Sequence, residues 1–425
     1  SASGSTMWRK RKRQCGRRRE QARGGVNDTA RIFASEGATR VTGRPKLLFL
    51  VTEDWYFWSH RLPVARAARD VGFDVVLATR VQAHGERIRA EGFLLCPLRW
   101  RRRGDGIIGA ARAISEISQL YRAERPDIVH HVALKPVFFG ALAARLAFLR
   151  GRDAPARVSA VMGLGGGLGV RGALARSERY LLGWALRLAA RCGRVIVQNP
   201  EDGAALSQFG INRMRIALIR GSGVDTTHFR PLPEPAGQTV TIAFVGRMLR
   251  NKGVLEAVAA VKRLRARGIV VELLLAGSPD DNRDSLSEAE LRAFASDPGI
   301  EWLGRVDDVR SVWQRAAIAV LPTSYGEGVP LALLEAAACG RPIIASDTPG
   351  CREIVHHGET GLLVPPHNSD ALTEAIAALA ADPPRRQAMG AAGRALVERD
   401  FAAPLIAEQT LALYRGLLSE KEARR

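Results

Sequence analysis

Apolar runs long enough for one buried strand recur along this chain, each followed by helical spacing, and the series starts twice. The first run, Lys46 to Thr52, is continuously apolar, as a parallel strand covered on both faces requires. Helical spacing follows from Ser59 to Val71; Gly72 stops it, and Phe73 to Thr79 reads as a second strand, completing a βαβ unit. The alternation continues through a helix over Gly109 to Ala123, a strand from Asp127 to Val132 and a helix near Phe138 to Leu149. A strand at Arg157 to Met162, a helix from Ala173 to Arg191 and a strand at Arg194 to Asn199 follow. Past Pro231, Pro233 and Pro235 the pattern restarts. Strands are expected at Thr241 to Gly246, Val270 to Gly277, Glu301 to Gly304, Ala317 to Thr323 and Arg341 to Ser346, with helices at Val254 to Arg267 and Pro330 to Gly340. Two such series split by a proline-bearing linker describe an α/β protein of two doubly wound, Rossmann-like domains facing across a cleft. The expected division is a basic arm over 1–44, a first domain over 45–222, a second over 223–400, and a helix within 401–425 that crosses back to the first.

Ligands of such sheets bind beyond the carboxyl ends of the strands, so the cleft is the expected site. In the second series, Leu321–Pro322 ends a strand, a Gly-rich loop follows, and a helix begins near Pro330, whose missing N–H suits a first helical turn. Free amides at that start favour an anion. Glu327 precedes the helix, and Glu335 sits within it among small apolar residues, where a carboxylate needs a partner such as a diol. At the first strand of the same domain, Gly246-Arg247 and Lys252-Gly253 put two cations in a strand-to-helix loop, enough to neutralise a diphosphate.

The segment GRMLRNKG, then GRVDDV, then PTSYGEGVPLALLEAAACGRPIIASDTPGCREIVHHGETGLLVPP resembles the retaining glycosyltransferases of family 4. The likeness covers most of 240–370, including two glutamates separated by seven residues, Glu327 and Glu335. It implies the GT-B fold and a nucleotide-diphosphate sugar as donor, UDP-linked by preference, with no cofactor and no metal. Arg247 and Lys252 would hold the diphosphate, Glu335 the ribose, and Glu327 the donor sugar. The amides of Gly328 and Val329 would touch the same region, Val306 would lie against the base, and Gly246 would shape the loop. Asp307-Asp308 is read as a helix cap.

The first series resembles family members that extend polyprenyl-diphosphate-linked sugars in cell-surface polysaccharide synthesis. Where the family commonly has a Gly-Gly pair, this chain has Trp58-Ser59-His60-Arg61. On this acceptor side, His60 is one candidate, and either His131 or Lys135 takes the histidine role toward the donor sugar. The loop with Gly165 and Gly166 would hold an acceptor phosphate; its G-x-G-x-x-G, ending at Gly172, is read as part of that loop rather than as a dinucleotide fingerprint.

A net charge of +20 favours anionic partners. Five scattered cysteines fit neither a disulfide framework nor a zinc site and suit a reducing cytoplasm. Arg179, Arg187 and Arg191 fall on one helical face beside Tyr180 and Trp184, and Arg99 to Arg103 form a second basic cluster with Trp100. Arginines beside aromatics suit a lipid headgroup layer, so peripheral attachment to the inner face of an anionic cytoplasmic membrane is expected. The rival readings are a GT-B sugar-nucleotide epimerase and a basic nucleic-acid-binding protein. The second lacks stacking platforms and a reading helix, and no nucleic-acid partner is expected.

Overall fold

The computed structural model describes residues 43–100, 106–148, 154–164, 183–184, 186–191, 193–237, 239–324 and 326–423. The expectations placed on the arm up to residue 42, on Arg101 to Arg103, on Gly165 and Gly166, and on Arg179 and Tyr180 lie outside the described residues.

Two parallel sheets carry the chain. The first contains β1 (Lys46–Glu53), β2 (Asp74–Arg80), β3 (Leu94–Pro97), β4 (Ile128–Val132), β5 (Ala156–Ala160), β6 (Gly193–Val197) and β7 (Ile216–Leu218), in the order β3-β2-β1-β4-β5-β6-β7. The second contains β8 (Val240–Val245), β9 (Val271–Ala276), β10 (Ile300–Gly304), β11 (Ile318–Leu321), β12 (Ile343–Ser346) and β13 (Gly361–Val364), in the order β10-β9-β8-β11-β12-β13. The strand order reverses between β1 and β4 and again between β8 and β11, the doubly wound topology. Leu47 to Leu50 are wholly buried because both faces of β1 are covered, which is why this strand reads as an unbroken apolar run.

The expected helix from Ser59 to Val71 is in fact two helices, Asp54–His60 and Leu62–Asp70. Pro63 explains the break: it lacks the N–H that a continuous helix needs and is tolerated in a first turn. The apolar alternation gives no counterpart for strands β3, β7 and β13, or for helices such as Gly85–Ala90, Pro200–Gln208, Glu288–Ala295, Ser369–Ala380 and Pro383–Asp400.

The chain passes between the sheets twice. Val224 and Ala402 form a bridge, with the Val224 N–H donating to the Phe401 carbonyl at 2.9 Å and the Ala403 N–H donating back to Val224 at 2.9 Å. The helix Ala403–Glu422 then packs against Leu62–Asp70, and its Ile406, Leu411, Tyr414 and Leu417 join the core of the first sheet. Tyr414 is fully buried and hydrogen-bonds His130 on β4. No helix among the described residues is long and apolar enough to cross a membrane.

Candidate active site

Strands β8 and β11 are neighbours at the switch point of the second sheet, and the loops leaving their carboxyl ends are joined to each other. After β8 the backbone makes a 3-10 turn, Arg250–Lys252, and Gly253 follows at φ 83°. A side chain at Gly253 would bring a Cβ within 2.2 Å of the Pro322 carbonyl oxygen, so only glycine lets the two loops close. The Ser324 N–H donates to the Asn251 carbonyl at 2.9 Å, and the hydroxyls of Thr323 and Ser324 donate to the same oxygen at 3.2 Å.

This junction brings Lys252 and Glu327 together across 75 positions of sequence. The Lys252 ammonium lies 3.1 Å from Glu327 Oε2, the two side chains being 15% and 13% exposed. The Thr323 hydroxyl, sharing its one proton with the Asn251 carbonyl, also faces the other oxygen, Oε1, at 3.3 Å. Arg247 leaves the end of β8 and is held by Asp280 at 2.9 Å. The Gly246 N–H is used within the sheet, donating to Ala276 at 2.9 Å, so Gly246 contributes backbone shape rather than a free donor.

Glu335 lies in the helix Leu331–Ala338, half-buried, and its carboxylate has no hydrogen bond or ion pair among the described residues. Burial pushes its carboxyl up to about 8, with the charge of Asp308 adding to the effect. Val306 is half-buried against the second core. Asp308 accepts from the Arg310 N–H at 3.1 Å at the start of the helix Arg310–Arg315, and its carboxylate also pairs with the Arg310 side chain.

Of the two loop amides expected to face a donor, that of Val329 is engaged by the first domain: it donates to Gln198 Oε1 at 2.8 Å. Gly328 lies against the same side chain, and a Cβ there would stand 1.9 Å from Gln198 Oε1. Gly163 abuts this loop too, with its Cβ position 2.4 Å from the Gly326 carbonyl oxygen. The Glu327 loop is thus the contact between the two halves, flanked by ion pairs of Arg220 with Glu353 at 2.7 Å and Arg352 with Glu201 at 3.3 Å.

The wall opposite Lys252 is the short helix Asp54–His60. The His60 ring lies flat on Tyr56, with centroids 4.1 Å apart and planes 9° apart, and its Nδ1 meets the Ser59 hydroxyl at 2.6 Å. Burial lowers the His60 pKa to about 3, and the positive charges of Arg61, Lys252 and Arg247 act in the same direction. Tyr56 is pushed up to about 12, again chiefly by burial; Arg61 and Arg247 oppose the shift and Glu327 adds to it. Both residues therefore feel the charged groups of the second domain. The Tyr56 hydroxyl and the Arg61 guanidinium meet Met162 Sδ at 2.7 and 3.3 Å.

His131 does not join them, which corrects the reading that made it a catalytic candidate. It lies within β4, and successive residues of a strand point to opposite faces of the sheet, toward the covering helices rather than past the strand end. His130 faces the C-terminal helix. His131 faces Tyr121, whose hydroxyl is 2.9 Å from Nε2, and is fully buried under Gly140, where a Cβ would come within 2.4 Å of the ring. Burial lowers its pKa to about 3. Lys135, the other candidate, sets its ammonium over the Trp100 and Phe139 rings at 5.6 and 5.4 Å. Tyr56, Arg61 and Gln198 were missed. The aromatic stretch 55–58 just past β1 marks the segment but has no periodicity that would place these side chains.

Known proteins match both halves. A family model described as glycosyl transferases group 1 matches residues 239–382, and one described as glycosyl transferase 4-like matches 46–163. Over 312 residues the chain is 30% identical to the GDP-mannose-dependent monoacylated alpha-(1-6)-phosphatidylinositol monomannoside mannosyltransferase of Corynebacterium glutamicum, covering 67% of this chain and 77% of that one. The chain belongs to glycosyltransferase family 4. It is 25% identical to the N,N'-diacetylbacillosaminyl-diphospho-undecaprenol alpha-1,3-N-acetylgalactosaminyltransferase of Campylobacter jejuni, over 83% of this chain and 94% of that one. It is 31% identical to the alpha-maltose-1-phosphate synthase of Mycolicibacterium smegmatis, over 55% of this chain and 65% of the relative's length. The fold is GT-B. Anabaena HepE, solved in complex with UDP and glucose, superposes with a TM-score of 0.68 at 17% identity, over 88% of this chain and all of that one. This glycosyltransferase scaffold carries the Lys252–Glu327 pair on the second domain and His60, which feels the charge of Lys252, on the first.

Proposed function

We propose that this chain is a retaining glycosyltransferase that moves a hexosyl or N-acetylhexosaminyl group from a UDP-linked donor to a polyprenyl-diphosphate-linked glycan. The observation that carries the reading is the Lys252–Glu327 pair at the switch point of the second sheet, with Arg247 on the neighbouring loop. In such a transfer the bond between the sugar's anomeric carbon and the diphosphate oxygen breaks. Its electron pair leaves with the nucleotide, the acceptor hydroxyl forms the new bond, and that hydroxyl's proton passes to the departing diphosphate oxygen. Arg247 and Lys252 are fixed cations that would stabilise the departing diphosphate with little reorganisation. The assignment uses no metal and no cofactor. Glu335, half-buried without a partner among the described residues, suits a ribose diol. His60 replaces His131 as the imidazole of the cleft, neutral at physiological pH.

The lipid-linked acceptor is supported by the Campylobacter relative, whose name describes transfer to a diphospho-undecaprenol substrate. The donor nucleotide is supported by the HepE complex with UDP. Attachment at the inner face of a cytoplasmic membrane is supported by Trp184, 47% exposed, beside the exposed Arg187 and Arg191. The test is a panel of nucleotide sugars with a polyprenyl-diphosphate glycan, scored by nucleotide release and by the anomeric configuration of the product. Release that requires acceptor supports transfer. Epimerised donor without acceptor consumption would replace it with the epimerase reading, and an inverted product would remove retention.

A further inference from the structure

A cavity of about 350 Å³ opens between the end of the helix Leu134–Ala147, the helical residues 186–190 and the turn at 210–212. Four arginines line it, Arg145, Arg187, Arg191 and Arg215, together with Trp184 and Asn212, and no carboxylate among the described residues does. Arg191 precedes β6 and Arg215 precedes β7, so the cavity sits at the amino ends of the first sheet. The transfer cleft lies beyond the carboxyl ends, where Gln198 follows β6. The two sites are therefore at opposite ends of one sheet.

Four like charges around one hollow repel each other, and no carboxylate among the described residues forms an ion pair with any of them. Two of them are nevertheless held in place. The Arg187 guanidinium donates to the Phe209 carbonyl at 3.2 Å, and that of Arg215 donates to the carbonyls of Ala190 and Gly193 at 3.0 and 3.4 Å. A guanidinium has five N–H donors in a rigid fork, so each keeps donors to spare after these bonds. Trp184 is placed by an edge contact with Phe138, their centroids 6.4 Å apart, and stays half in solvent. Oriented guanidinium donors, no competing carboxylate among the described residues and one exposed indole match a phosphate ester, whose oxygens take paired N–H groups and whose organic part lies on the ring.

We propose that this cavity is a second anion site, which takes a phosphate group from a lipid headgroup or from a free phosphate. Its lipid arm rests on the membrane attachment proposed above, which uses the same Trp184, Arg187 and Arg191, but not on the sugar-transfer reading, since nothing in it touches the cleft.

The test compares the full chain with its Arg187→Ala/Arg191→Ala variant, both side chains being exposed and dispensable for packing, and with Arg191→Lys, which keeps the charge. Binding is measured to inorganic phosphate by calorimetry, and by flotation to phosphatidylcholine vesicles with and without phosphatidylglycerol. The difference between the chains reads this cavity alone, whatever the cleft binds. The double variant is expected to bind the anionic probe about tenfold more weakly for each guanidinium removed, with Arg191→Lys in between. A loss seen only with phosphatidylglycerol vesicles identifies a lipid headgroup; a loss with inorganic phosphate as well shows that the free anion suffices. Equal binding of both probes by wild type and double variant overturns the proposal. So does a loss confined to duplex DNA, titrated into the same chains in the same buffer.

Discussion

Glu335 offers a test of the proposed donor site that needs no acceptor. With its carboxyl at about 8, the group at pH 7 is ionised in only about one molecule in eleven, and at pH 9 in about ten of eleven. Ribose hydroxyls donate to a carboxylate, so the binding-competent form is the ionised one, and apparent affinity scales with its population. UDP-sugar affinity should therefore rise about tenfold between pH 7 and pH 9, which is about 1.4 kcal/mol. A UDP-sugar is the right probe because its diphosphate has no proton to lose in this range. His60 at about 3 and Tyr56 at about 12 titrate outside it. Calorimetry in buffers of different ionisation enthalpy should count nearly one proton released per donor bound at pH 7. Glu335→Gln should bind weakly with a flat profile. A flat profile in the wild type with no proton release would refute the argument. The same shift has a stability consequence. The folded carboxyl holds its proton more tightly than the unfolded one, so its contribution is complete below about pH 4 and is lost as pH rises through about 8. Before nucleotide is added, Glu335→Gln should unfold with less pH dependence over that window.

Lys252→Ala should lower kcat by about a hundredfold to a thousandfold if this ammonium stabilises the leaving diphosphate, and a steady-state assay with an unchanged kcat would remove it from that role. His60→Ala should slow transfer, whereas His131→Ala should leave kcat nearly unchanged and destabilise the fold by roughly 1–3 kcal/mol in denaturant titration; the opposite pattern would restore His131 to the site. Gly328→Ala should displace Gln198 and break its bond to Val329, raising KM, and Gln198→Ala in the same chain should recover part of the loss; additive effects would show that the two residues are uncoupled. Tyr414→Phe should cost about 1 kcal/mol of stability through the lost bond to His130, measured by thermal unfolding.

The loop cluster of the second domain could be read from sequence because its parts are local. Strand β8 with Arg247 and Lys252, and strand β11 with Glu327 and Glu335, each lie within one strand-loop-helix unit, and apolar runs and glycines mark such units directly. The doubly wound topology followed from the alternation for the same reason. The first domain resisted where a side chain's direction mattered. His130 and His131 look interchangeable as letters, yet the pleat of β4 turns one toward Tyr414 and the other toward Tyr121, and neither toward the cleft. The aromatic run at 55–58 gave no apolar periodicity by which to place a helix. Tertiary structure alone set Tyr56 and His60 opposite Lys252, joined Gln198 to Val329 across 131 positions, and gathered Arg145, Arg187, Arg191 and Arg215 around one hollow. Those meetings depend on how two sheets and their covering helices stack. Local patterning says which residues form each element; which side chains then face one another is decided by packing between elements far apart in the chain.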